Sequence, residues 1–170
     1  GRVRNVYFYT SLAVVLVLVG VTTLLTGAAV TGVLAALAVV CSGAWSRIGR
    51  LFLLLHAAVY LLAAAIACGA IGYDLREVVA GAGPPWPSPT PAMLVVLIAS
   101  ALSAWFASRE PEGDGSSYAS LPRFVIVLVL VLSAGGTLIG TVAPVVGRQA
   151  DGSMDAGVMA TIRTGVLAIA

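Results

Sequence analysis

Lysine is absent from this chain, and every one of its nine basic residues is arginine. Charge of either sign is scarce: 9% of the 170 residues carry it, against about 25% in a soluble domain. So few charges cannot cover a water-facing surface, which excludes an ordinary soluble globule. The net charge of +2 is too small to argue for a nucleic-acid partner. His56 is the only histidine, so neither a haem pair nor a two- or three-histidine metal site can come from this chain. The C-x-x-C, H-E-x-x-H, G-x-S-x-G and P-loop spacings are all missing. Paired-carboxylate chemistry would have to use Asp74 and Glu77, which beside Arg76 read more simply as a solvated interfacial patch. No cofactor or metal is called for, and the residues favour a non-catalytic role.

What the chain has in abundance is apolar surface: 60% of its residues, with a mean hydropathy of +1.07. All seven acids (Asp74, Glu77, Glu110, Glu112, Asp114, Asp151 and Asp155) fall between the long apolar runs. That placement is expected when an ion in hydrocarbon costs several kcal/mol. Since about 20 apolar residues span a bilayer, the runs predict helices at 6–25, 28–45, 51–71, 92–107 and 124–146, with a sixth begun at 156–170. Read as one rod, residues 6–45 would reach about 60 Å, twice the hydrocarbon thickness. Thr26-Gly27 must therefore turn the chain into a hairpin. Thr90 and Pro91 are placed as N-cap and first helical residue of the fourth span. The fold class is thus an all-α polytopic transmembrane bundle forming a single membrane-embedded domain, with five complete spans and a truncated sixth. Gly1 at the start, and the apolar run Val166-Leu167-Ala168-Ile169-Ala170 at the end, point to a piece of a longer chain.

With the N-terminus in the cytoplasm, the inner face holds Arg2, Arg4, Arg47, Arg50, Arg109 and Arg123, against Arg76 and Arg148 outside. That asymmetry fits the positive-inside rule. Tyr7, Phe8, Tyr9, Trp45, Trp105 and Phe124 mark the inner aromatic belt, and Tyr73 and Trp86 the outer one. The arginine-only basic set, with its richness in Ala, Gly and Val, fits a GC-rich genome and a bacterial inner membrane. The outer loop 72–91 ends in five prolines and reads as a stiff, extended connector. The inner loop 108–122 is acidic and rich in Gly and Ser. Val15-Leu16-Val17-Leu18 with Thr23-Leu24 repeats as Val129-Leu130-Val131-Leu132 with Thr137-Leu138, a faint sign of duplicated halves.

Few residues inside the spans carry chemistry. His56 lies roughly 7 Å below the inner boundary, and Tyr60 sits one turn deeper on the same face. The pair is a candidate proton relay or a polar packing spot. Arg163, flanked by Thr161 and Thr164, is the one formal charge inside an apolar run. It is either an anion or ion-pair contact or a side chain that snorkels to the headgroups. The fifth span carries Gly136-x-x-x-Gly140 with Thr137, Thr141 and Pro144. Small residues let helices approach closely, and Pro144 should kink the end of the span. Ala63-Ala64-Ala65 and Ala67 of the third span are the expected partner face. Cys41 and Cys68 differ in depth by about 20 Å, too far for a disulfide.

Two functional classes follow. The first is a structural or accessory membrane domain whose partners are lipid and other transmembrane helices. The second is a transporter, permease or channel domain with a polar site near the fifth and sixth helices.

Overall fold

The computed structural model describes residues 2–79, 88–109, 119–146, 157–158, 160–161 and 164–165. Among these residues the chain is all-helical, with no strand. The elements are α1 (Arg2–Leu24), α2 (Ala28–Ile48), α3 (Leu51–Ala67), α4 (Ala70–Val79), α5 (Pro91–Ser108) and α6 (Ser120–Val146). Three helices are long and apolar enough to cross a membrane: Ala28–Ile48, Pro91–Ser108 and Ser120–Val142. Phe8–Leu24 and Leu51–Ala67 are apolar but shorter. At 1.5 Å per residue the 17 residues of α3 cover about 25 Å.

Local chemistry sets the breaks. Gly27, at φ 59°, turns the chain between α1 and α2, and Gly49, at φ 69°, ends α2 with its N–H donating to the Trp45 carbonyl. Glycine takes these left-handed conformations without the Cβ clash other residues suffer. The Thr90 hydroxyl accepts from the Met93 N–H, with Pro91 at the first helical position, as the sequence suggested. The third apolar run departs from expectation. Rather than one helix over 51–71, α3 stops at Ala67, Gly69 turns at φ 75°, and α4 starts afresh with the Tyr73 N–H donating to the Gly69 carbonyl. The first part of the segment read as a stiff connector, up to Val79, is therefore helix. The fifth run also begins earlier than residue 124, at Ser120.

α2, α3, α5 and α6 form the packed body. Their buried positions repeat every three and four residues: Thr31, Ala35, Ala38, Ser42 and Trp45 on α2; Val96, Ser100, Ser103 and Ala107 on α5. On α6 the series is Pro122, Ile126, Val129, Ser133, Gly136 and Gly140. This 3.5-residue period is the seam of left-handed, knobs-into-holes packing. Most knobs are Ala, Ser or Gly. Lipid tails are as apolar as leucine, so close van der Waals contact through small residues drives association instead. α2 and α5 run parallel, since Gly43 faces Phe106 near one end while Gly32 and Val95 share a groove nearer the other.

α1 is peripheral. Val14 is buried, while Leu12, Val15, Leu16, Val19 and Leu24 are exposed. The two halves of the faint repeat therefore sit in unlike surroundings, with Val15 54% exposed and its counterpart Val129 3%.

Candidate functional site

Arg163 lies outside the described residues, as does most of the sixth apolar run, so no arrangement around it enters here. The remaining candidates fall into two groups that the structure keeps apart. His56 lies near the start of α3, and Thr137 and Thr141 lie near the far end of α6. Arg123, in the first turn of α6, stands by Trp45 at the end of α2 that leads into α3, so α3 and α6 start together. From those starts the two groups are separated along the bundle by on the order of 15 Å.

The first group is aromatic. The half-buried His56 ring stands edge-on to Phe52, with centroids 5.8 Å apart, and 6.2 Å from the ring of Tyr60. The i,i+4 spacing thus makes a ladder of three rings along one helix. Tyr60 is buried, at 5% exposure. Among the described residues the contacts of the His56 ring are these two ring contacts.

The second group surrounds Gly136 and Gly140, both buried. α6 continues as helix through position 144 to Val146. The Thr141 hydroxyl donates to the Thr137 carbonyl at 2.8 Å, and Thr137 itself is half-buried. What faces Gly140 is Tyr73 of α4: a methyl placed on Gly140 would overlap the Tyr73 hydroxyl and come within 3.0 Å of its ring carbon Cζ. α3, with its buried Ala64 and Ala65, also lies alongside α6, yet Tyr73 is what fills the Gly140 notch. The ring is 8% exposed, so it is an interior side chain rather than part of an outer aromatic belt. Trp45, placed by the sequence on the inner belt, is likewise interior at 3%. Phe8, Tyr9, Trp105 and Phe124 are exposed.

Sequence reasoning gave Tyr73 a different role because the helix carrying it was read as loop. A usable signal was present. Ala70 and Tyr73, three apart and directly after Gly69, form the buried stripe of a short amphipathic helix.

The hydroxyls within the helices are mostly consumed locally. Ser42 donates to the Ala38 carbonyl (2.6 Å), Ser46 to Gly43 (2.8 Å) and Ser100 to Leu97 (2.8 Å). Thr22 and Thr23 do the same toward Leu18 and Val19 (both 2.8 Å). Such back-bonding hides a polar group without a partner helix. Thr31 Oγ1, Ser103 Oγ and Trp45 Nε1 are buried without a hydrogen bond. Cys41 and Cys68 form no disulfide, and the Cys68 thiol donates to the Ala65 carbonyl at 3.5 Å. Among the described residues no three His, Cys, Asp or Glu side chains converge as metal ligands. A groove of about 400 Å³ between α2 and α5 is lined by Gly32, Ala36, Val40, Val95, Ile98 and Leu102, with Ala35, Val39 and Ala99 at its floor. It is apolar throughout and opens on the bundle's outer surface.

The end of the bundle where α2 and α5 finish, and α3 and α6 begin, carries Arg47, Arg50, Arg109 and Arg123. The Arg109 guanidinium lies 3.9 Å from the centroid of the Trp105 ring, and Arg123 lies 5.6 Å from that of Trp45. Both are cation–π contacts. Comparison with known proteins finds no matching family, no matching curated protein and no matching solved structure.

Proposed function

We propose that the chain is a structural or accessory membrane domain, which packs against other transmembrane helices of a larger chain or complex. Five complete spans and a sixth begun near residue 156 would stand in a bacterial inner membrane with the N-terminus in the cytoplasm. The observation that carries this reading is the seating of Tyr73 against Gly140. A transporter or channel needs a polar, water-accessible path beside the glycine-rich helix. Here the Tyr73 ring stands against Gly140, and the Thr141 hydroxyl turns back on the Thr137 carbonyl. The groove between α2 and α5 is apolar.

Single cysteines at Thr137, Thr141 and Thr164, in a background free of Cys41 and Cys68, test the reading with membrane-impermeant maleimides. Protection at all three is expected. Rapid aqueous labelling, blocked by a small solute, would replace the structural reading with the transport one. In the same background, a cysteine at the exposed Ser108 should react only from the cytoplasmic side and one at Ser88 only from outside. The reverse pattern would invert the topology.

A further inference from the structure

We propose that the arginine-bearing end of the bundle binds the phosphodiester headgroup of an anionic phospholipid, with Arg47 and Arg109 as the contacting cations. The proposal rests on the membrane reading above and adds to it a ligand class and a site.

Three observations converge on it. First, the two arginines share one rim. A methyl group placed on Gly43 would lie 3.8 Å from the Phe106 ring, so the last turns of α2 and α5 stand side by side. Arg47 stands one turn beyond Gly43, and Arg109 three residues beyond Phe106. Both are exposed, and Arg50 and Arg123 lie at the same end. Second, Arg109 is ordered before any ligand arrives, by its stack at 3.9 Å on Trp105. Cations held on an indole ring lose less side-chain freedom when they later bind an anion. Third, Trp105 is itself 53% exposed, one helical turn from the exposed Leu102, and Ile48 and Phe124 at the same end of the bundle are exposed too. An exposed indole in such company belongs at the glycerol level of a bilayer. A guanidinium lying on it sits at phosphate depth, where planar donors suit two phosphate oxygens at once. A soluble anion would need no such apolar surround, and a lipid supplies chains for it.

Glu110, Glu112 and Asp114 follow Arg109 in the sequence and are the competing intramolecular anions. Two acceptors thus contend for the same guanidinium groups, and the experiment separates them.

The test is native mass spectrometry of the detergent-solubilised protein, titrated with phosphatidylglycerol, with phosphatidylcholine and with inorganic phosphate. Phosphatidylglycerol should bind several-fold tighter than phosphatidylcholine. Each arginine lost should weaken it by roughly fivefold, the effect of about 1 kcal/mol per basic residue at an anionic surface. R47A/R109A should therefore abolish the preference, R47K/R109K should keep most of it, and W105A should reduce it. Unchanged helical circular dichroism and elution show that each variant has folded. Equal binding of the two lipids by the wild type would overturn the proposal, as would a preference that survives R47A/R109A. Competition by inorganic phosphate at lipid-like concentrations would make the ligand a soluble anion and overturn the lipid assignment. A preference that appears only in E110Q/E112Q/D114N would show that the acids occupy the arginines, and would overturn it too. A protein that never enters the membrane fraction would instead contradict the membrane reading, before any titration begins.

Discussion

At Gly140 the Tyr73 hydroxyl comes so close to the α6 backbone that there is no room for a methyl group. Gly140→Ala must displace that ring or push α4 away from α6, and overpacking of this kind costs about 1–3 kcal/mol. The cost should be much smaller in a Tyr73→Phe background, where the overlapping oxygen is gone. A double-mutant cycle, read by thermal unfolding in detergent, should give a coupling of about 0.5–3 kcal/mol. Strict additivity would mean that Tyr73 is not what Gly140 accommodates. The same scale explains why Gly136-x-x-x-Gly140 was legible and its neighbour at Gly140 was not. Two glycines one turn apart announce a close approach from the sequence alone. Which side chain approaches depends on how the chain is routed elsewhere.

Helices differ in how firmly they are held. Leu61 of α3 is fully buried, whereas Val14, at 8% exposure, is the one buried residue among the described side chains of α1. In lipid a truncated side chain leaves one apolar setting for another, so the cavity term outweighs the transfer term. Leu61→Ala should therefore cost toward the lower end of the about 2–5 kcal/mol seen for buried leucines. Val14→Ala should cost well under half as much, and comparable losses would mean that α1 is part of the packed body. Element boundaries were legible where local chemistry writes them. Thr90-Pro91 opened α5 as its capping residues suggested, and Gly27 turned the chain between α1 and α2. The α3–α4 break was not, because Gly69 sits in an unbroken apolar run, where hydropathy says nothing of its positive φ. The proline-rich stretch then disguised the last part of a helix as loop.

On the scale of the whole molecule, hydropathy showed the all-helical class and the apolar runs that became α2, α5 and α6. Composition alone carries this, since a chain with 9% charged residues has few ways to face water. It did not reveal that Ala, Ser and Gly would share the interior with Leu34, Leu54, Leu61 and Ile126 while many large apolar residues face outward, with Ile98 61% and Val40 66% exposed. An apolar outer surface of this kind is the physical content of the proposed membrane assignment. Spin labels at Leu94, Ile98 and Leu102, on the exposed face of α5, test it most directly in reconstituted bilayers. Relaxation by dissolved oxygen should be strong and relaxation by a water-soluble nickel chelate weak at all three, with the greatest contrast at Ile98. Nickel access as high at Ile98 as at Ser88 would place that face in water and contradict the account.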